Sequence, residues 1–449
     1  EAVQRAVRDS LGLAIRPLGP QALKNITEPV EVFAIEVNGG SPVPVPVELP
    51  PMRSELIEPF TEASIAVLPL DNLSGDPLDN HMCDGITGDV ITNLSRFRTL
   101  SVIARHSAFL FRDRKVPLGE IAKHLGVRYL LSGGLQRSGR QLRLRVQLTE
   151  TDTSRVLWSD RYDGDLEEVF AFQDDVTSVI AARLAVQISA AERRRVDMLR
   201  TPDLRAYGLI LRGQELSLQF RREANLHARR LFELGTEIDP HYGRGHAGMS
   251  RTFNLAWRYH WTPKPEVALD KAVELANSAI RYDSLDARGF GELGYATLYK
   301  KEHDASLAAY ERAIELNPND ADILAEMGDA LSYTGQSERA INLLNRAMRL
   351  NPYYPDWYLW YLGEAHFHLR DFEQAIATLQ RMRDPSEAHR LLASSYAHLG
   401  LIKEARRHAE QVMTVHPNFS IEHWRKVPPY KNAEQVEVLI EGLQKAGLR

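Results

Sequence analysis

Ala313-Ile314-Glu315-Leu316-Asn317-Pro318 and Ala347-Met348-Arg349-Leu350-Asn351-Pro352 carry one pattern at a spacing of 34 residues. A chain that repeats itself at such an interval folds as stacked copies of one small unit. Other positions keep the same step: Leu293-Gly294 answers to Met327-Gly328, and Ser306 to Ala340. Each copy reads as two antiparallel helices, too short to bury their apolar stripes alone, so neighbours must share a core. Gly294 and Gly328 let one helix lie close on the next, and Ala313 and Ala347 let the second helix approach. Pro318 and Pro352, with no N–H to donate, end it.

The pattern continues less cleanly in Leu362-Gly363 with Ala375, in Tyr396, Ala405 and Pro417, and upstream in Ala228 with Pro240 and Ala272 with Ala279. These positions together resemble the tetratricopeptide repeat family. The resemblance implies an all-α solenoid over 203–449, of about six units at the ~34-residue standard. Ala433–Ala446, with Val436, Leu439, Ile440 and Leu443 on one face, is the expected capping helix. Two units depart from the standard. The one after Pro240 carries roughly a dozen extra residues between Gly248 and Ala272, among them Trp257, Tyr259, His260, Trp261 and Pro263, and the one before Pro385 is short in its second helix.

A chain of 449 residues exceeds one ordinary core, since domains cluster near ~100–150 residues. The run Ser-Pro-Val-Pro-Val-Pro-Val-Glu-Leu-Pro-Pro within 38–61 alternates proline with β-branched residues, which marks an extended linker open to proteases. In the next module, 62–190, Ile65–Leu70 reads as a buried strand, Gly85–Arg96 as a helix and Leu100–Ala104 as a second strand, an order that implies parallel pairing. A helix near Leu118–Leu125 follows, then a strand Val127–Gly133, a returning strand through Leu142, Leu144, Val146 and Leu148, a strand at Val156–Trp158, and a long helix from Leu166 to about Ile188. Residues 191–202 connect it to the repeats. The runs Ser64–Pro77, Gly126–Gly133 and Leu157–Tyr162 resemble the TolB amino-terminal-like domain, so the expected class is multidomain, a small α/β module followed by an all-α solenoid.

Residues 1–37 hold Leu18-Gly19-Pro20-Gln21-Ala22-Leu23-Lys24-Asn25-Ile26-Thr27-Glu28-Pro29-Val30-Glu31-Val32-Phe33, which resembles the closing strands of a class III adenylate cyclase domain, with its usual helix around Val3–Leu11. That family holds metal ions on carboxylates and steadies the transition state with an Asn/Arg pair, all of which precede the segment present here. The resemblance therefore assigns no catalytic, cofactor or metal residue to this chain. It places Mg and ATP in a preceding cyclase domain, through which an oligomer could form, and it implies that this chain alone makes no cyclic nucleotide. A start at Glu1 rather than Met reads as a cut or processed end.

The remaining chemistry is sparse. The formal charge of −5, from 55 basic and 60 acidic residues, gives no electrostatic footprint for nucleic acid or acidic membranes. No apolar run approaches the ~18–20 residues of a spanning helix, and the lone Cys83 cannot pair within the chain, so a cytoplasmic location is expected. Asp71 and Asp76 read as turn residues, His366 and His368 point to different sides of a helix, and Cys83 reads as a packed thiol. Nine basic against two acidic residues between Arg112 and Arg145 fit a solvated sheet face, because Arg143 and Arg145 alternate with leucines.

The repeat register also places a concave groove, lined by the first helix of each unit. Its expected residues are Tyr295 and Tyr299, then Asp329 and Tyr333, then Trp357, Trp360, Glu364 and His368, then Arg390, Ser394 and His398. Flat rings with a few charges suit an extended or helical peptide, with Trp360, Tyr333 and Arg390 as expected anchors. The expected function is thus the non-catalytic, partner-binding portion of an adenylate cyclase-like signalling protein that turns ATP into cyclic AMP. A repeat-bearing regulator with a DNA-binding output domain and a stand-alone repeat scaffold are the alternatives.

Overall fold

The computed structural model describes residues 14–21, 30–36, 60, 63–112, 116–165, 168–183 and 203–449. The helix expected around Val3–Leu11, the connector 191–202 and all of the linker but Phe60 lie outside the described residues. Residues 1–51 and 52–449 are separate compact units. In the first, β1 (Ala14–Gln21) and β2 (Val30–Glu36) pair antiparallel, with a slip in register between Pro17 and Gly19.

The second unit opens with β3 (Ala63–Val67), β4 (Asp71–Asn72), α1 (Asn80–Leu94), β5 (Leu100–Val102), α2 (Arg105–Phe109) and α3 (Leu118–Leu125). The long strands β6 (Tyr129–Ser138), β7 (Gln141–Glu150) and β8 (Arg155–Asp165) follow, then α4 (Val169–Arg183). The sheet runs β5-β3-β6-β7-β8, with β4 also on β6; β3 pairs parallel with β5 and β6, as the strand-helix-strand order predicts, and β6, β7 and β8 are antiparallel. Along β7, Leu142, Leu144, Val146 and Leu148 face the core while Arg143 and Arg145 alternate with them. The basic excess is answered by carboxylates: Arg143 meets Asp163 at 2.5 Å, Arg137 meets Asp79 at 2.8 Å and Arg128 meets Glu150 at 3.0 Å. Cys83, on the core side of α1, is buried, and burial pushes its thiol up to about 12.

From residue 203 the described chain is an all-α solenoid of helical pairs: α5 (Leu204–Ser217) with α6 (Arg222–Ile238), α7 (Gly243–Arg258) with α8 (Pro265–Tyr282), α9 (Ala287–Tyr299) with α10 (His303–Leu316). They continue as α11 (Ala321–Tyr333) with α12 (Ser337–Leu350), α13 (Asp356–His368) with α14 (Phe372–Leu379), and α15 (His389–His398) with α16 (Ile402–Val415). A short α17 (Ile421–Trp424) and a final α18 (Ala433–Lys445) close the chain. The extra residues after Pro240 lengthen α7 and α8 to 16 and 18 residues, and the short second helix is α14, with 8. Asp203, Asp286 and Asp320 cap the first helix of their pairs by accepting backbone N–H bonds. A Cβ on Gly294 would come within 2.8 Å of the Tyr310 ring, and one on Gly328 within 2.8 Å of Leu344. The helices of each pair are that close, and Ala313 and Ala347 are fully buried where they cross.

The turns between pairs also dock the α/β module. Asn319 donates its side-chain amide to the carbonyls of Ser95, Phe97 and Leu100 at 3.1, 2.9 and 3.0 Å. One turn further along the solenoid, Asn351 Oδ1 accepts from Ser107 at 2.6 Å, the Ser107 hydroxyl accepts from Tyr353 N–H at 2.9 Å, and Ala104 N–H donates to Leu350. At the other end, buried Asp89 on α1 pairs with Arg244 of α7 at 2.6 Å and accepts from the Tyr207 hydroxyl at 2.6 Å. Burial opposes the Asp89 charge, but Arg244 outweighs it and holds the carboxyl below its ordinary range. Each of these buried polar groups is costly to orphan.

Asn319→Ala is therefore expected to cost about 1–3 kcal/mol in denaturant unfolding by removing the buried side-chain donor that three carbonyls share. Glu338→Gln, on an exposed position of α12, should stay within about 0.5 kcal/mol; equal midpoints for the two variants would refute the docking.

Candidate partner-binding groove

The first helices of successive pairs lie side by side, and their facing side chains form a charged, aromatic trough. On α7, Arg251, Asn254 and Arg258 fall three and four residues apart, on one helix face. Arg251 reaches Glu292 of α9 at 3.2 Å and Glu326 of α11 at 4.0 Å. Asn254 donates to the Glu292 carboxylate at 2.7 Å and to its backbone carbonyl at 3.1 Å. Arg258 donates to the Tyr361 hydroxyl at 3.0 Å and lies 5.7 Å from the Trp357 ring centroid. With Phe220 and Tyr295, these side chains line a hollow that remains open.

The electrostatics of this hollow follow from burial against pairing. Burial disfavours the Arg251 charge, yet Glu292 and Glu326 outweigh it and hold the guanidinium above its usual range. Desolvation raises both carboxyls, and Arg251 only partly offsets that rise. Two polar atoms in the hollow, Asn254 Oδ1 and the Tyr295 hydroxyl, are buried without a protein partner. Such atoms mark where a bound group or water belongs.

The C-terminal half of the trough is covered by the chain itself. The Tyr430 ring lies 5.0 Å from Tyr333 and 5.1 Å from His368, and its hydroxyl donates to Glu364 at 3.1 Å. Lys431 N–H donates to the Tyr333 carbonyl at 2.9 Å, and Gln435 donates to the Ser332 carbonyl at 3.0 Å. α18 seals α15: Ser394 donates to the Leu439 carbonyl at 3.1 Å and His398 meets the Val438 carbonyl at 2.8 Å. The contact tolerates only glycine at 442, since a Cβ there would fall 2.0 Å from Ser394 Oγ. Arg390, paired with Glu387 at 2.6 Å, lies 4.1 Å from the Trp424 ring centroid of α17.

The expected groove residues thus divide. Tyr295 and Trp357 line the open hollow, and Tyr299 lies beside them, its hydroxyl donating to Asp329 at 3.0 Å and its ring 4.3 Å from Trp257. Tyr333, Glu364 and His368 lie beneath Tyr430, Ser394 and His398 beneath α18, and Arg390 beneath Trp424. Trp360 is half-buried between two core clusters, its indole N–H without a protein partner. Of the expected anchors, Tyr333 and Arg390 are thus covered by residues 419–445, which fold back over that half. Seven residues of the hollow, the polar Arg251, Asn254, Arg258, Glu292 and Glu326 and the apolar Phe220 and Leu255, were absent from the expected set. Glu292 and Glu326 stand 34 residues apart, so the repeat spacing itself marks them.

Beneath Tyr430, Asp329 and Glu364 hydrogen-bond each other in a fully desolvated site, and burial raises both carboxyls, Glu364 to about 8. Tyr333, on the same helix as Asp329, and Tyr299 of α9 face the pair, and burial pulls His368 down to about 3, so it is neutral there.

Models of the tetratricopeptide repeat match residues 287–320, 309–342 and 331–386, so the chain carries a region of that repeat. A Rhizobium meliloti (strain 1021) protein named "Putative adenylate cyclase 3" is 34% identical over 288 residues, 64% of this chain. The chain spans about half of that relative's length, 48%. Among solved structures, the APC/C hetero-tetramer Cut9-Hcn1 is similar at a TM-score of 0.41 and 16% identity, covering 62% of this chain and 56% of that one. PilF of Pseudomonas aeruginosa scores 0.36 at 16% identity, covering 48% and 95%. TolB of Acinetobacter baumannii scores 0.21 at 14% identity, covering 28% and 29%. No helix among the described residues is long and apolar enough to cross a membrane.

The acid pair sets a pH dependence. The Glu364 pKa is higher in the folded chain than in the unfolded one, so the fold favours its protonated form, and stability declines as pH rises from its ordinary range towards about 8. Glu364→Gln keeps the shape without the ionisation. Relative to wild type it should gain at least about 1 kcal/mol in thermal or denaturant unfolding at about pH 8 and little or nothing at about pH 5. An equal difference at both pH values would show that Glu364 is ionised in the fold.

Proposed function

We propose that this chain is the non-catalytic, partner-binding portion of an adenylate cyclase-like signalling protein, and that a protein or peptide docks in the open half of the trough. The observation that carries the binding reading is the hollow itself. Guanidinium groups, carboxylates and rings converge there around two buried polar atoms without protein partners, and the chain's own C-terminal segment stops short of it. Such a mix suits a peptide backbone with a charged side chain, since flat rings and Arg contribute most of the energy at desolvated contacts. The likeness to the rhizobial protein supports the cyclase half of the reading, with conversion of ATP to cyclic AMP assigned to a catalytic domain outside this chain. Magnesium and ATP belong to that domain, as does any oligomer formed through it.

The α/β module, read as a TolB amino-terminal-like domain, has a place in this scheme. It grips successive turns of the solenoid, so a change in the curvature of the repeats on binding has a direct route into the sheet. Helix stacks that share one continuous core shift together rather than one unit at a time.

The test is partner capture by the intact chain. Phe220 is exposed at the lip of the hollow, so Phe220→Asp should leave circular dichroism and melting unchanged. It should weaken binding of a recovered partner by about 2 kcal/mol, roughly thirty-fold. Arg258→Lys, which keeps charge but loses the planar fork, should weaken it less. Unchanged affinity in both variants would move the partner site away from the hollow.

A further inference from the structure

The segment between α17 and α18 touches the solenoid as a bound peptide does. Its backbone leaves α17 through a turn and runs on in bends that are neither helix nor strand, and Pro428 and Pro429 are buried. Lys426 and Pro429 offer their carbonyls to Lys301 Nζ at 2.8 Å and His303 Nε2 at 2.6 Å. Lys431 gives its N–H to the Tyr333 carbonyl and its ammonium to Asp304 at 2.7 Å. Tyr430 inserts its ring edge and puts its hydroxyl on Glu364 of the acid pair. None of these contacts belongs to the repeat pattern, since each joins the segment to a turn or groove position more than sixty residues earlier in the chain.

The fit is that of a ligand with modest hold. The Lys431–Asp304 pair is exposed, with side chains 45% and 90% accessible, and such pairs contribute little. Beneath Tyr430, His368 Nε2 is buried without a hydrogen-bond partner, so the occupant satisfies the floor only in part. Both ends are anchored, by Trp424 on Arg390 and by α18 on α15. The middle can therefore lift while the ends stay in place, and tethering keeps its local concentration near the millimolar range, roughly.

We propose that Lys426–Asn432 is a cis ligand of the groove, closing its C-terminal half until a partner segment of like chemistry, a paired proline followed by Tyr-Lys, takes its place. This rests on the reading of the trough as a partner site, but it concerns the covered half rather than the hollow. A paired proline holds such a segment extended before binding, which lowers the entropy cost of docking. The tyrosine hydroxyl reads the acid pair, and the lysine reads Asp304.

The experiment uses a labelled peptide, Lys-Val-Pro-Pro-Tyr-Lys-Asn, titrated by fluorescence anisotropy against the intact chain. Tyr430→Ala should bind it at least about ten-fold more tightly than wild type, with Lys431→Glu in between, because each weakens the tethered competitor. A peptide carrying Phe in place of Tyr should bind more weakly. If Tyr430→Ala loses its cooperative melt, Lys431→Glu, which alters only an exposed pair, carries the comparison. Absence of binding to folded variants would overturn the proposal and make the segment a permanent part of the fold, and equal binding to wild type and variants would show that it does not compete. Phe220→Asp added to Tyr430→Ala should leave peptide binding intact. Loss of binding there would put the peptide in the hollow and overturn the proposal, whereas loss of partner capture alone concerns only the hollow.

Discussion

A single side-chain amide, that of buried Asn319, holds three carbonyls at the junction of α1 and β5. Much else rests on that junction. A stack of helical pairs is a quasi-one-dimensional object whose curvature is set by small rotations between neighbours. Here the solenoid is pinned to the α/β module at three places, through Asp89 of α1 on Arg244 of α7, Asn319 on the α1–β5 loop and Asn351 on Ser107 of α2. The pitch of the solenoid, and with it the spacing of groove side chains, is fixed by the α/β module as well as by repeat packing.

That rigidity explains how the trough tolerates so many buried charges and rings. Arg251, Glu292 and Glu326 span three first helices, and their mutual pairing only offsets desolvation if the helices keep their spacing. The covered half solves the same problem differently. Asp329 and Glu364 cannot both ionise at close range in a dry site, so the pair retains a proton and accepts the Tyr430 hydroxyl. One half of the trough is left polar and open, and the other holds a proton and is filled from within.

The sequence made the repeats legible because close helix crossings demand small residues at fixed intervals: Gly294 against Tyr310, Gly328 against Leu344, Ala313 and Ala347 at full burial. Alternation in β7 and the strand-helix-strand order of the module were equally plain, as was the apolar face of α18. The groove was legible only as a register. Tyr295 and Trp357 fall where the spacing puts them, but the long α7 interrupts the spacing and hid Arg251, Asn254 and Arg258. The fold-back of 419–445 left no periodic signal, because a strap held by Pro429, Tyr430 and Lys431 obeys long-range contacts rather than helix geometry. Nor does local sequence reveal that Asn317-Pro318-Asn319 and Asn351-Pro352-Tyr353 both end a helix and dock a module.

Whether the strap is a ligand or a fixture is decided by how it opens, and amide hydrogen exchange in the intact wild-type chain reads this at Lys431, whose N–H is bonded to the Tyr333 carbonyl at 2.9 Å. A cis ligand opens locally, so Lys431 should exchange more slowly than a free peptide yet far faster than the core amides of α11, such as Leu324. Exchange of Lys431 at the same rate as those core amides, through global unfolding alone, would contradict a strap that yields its place.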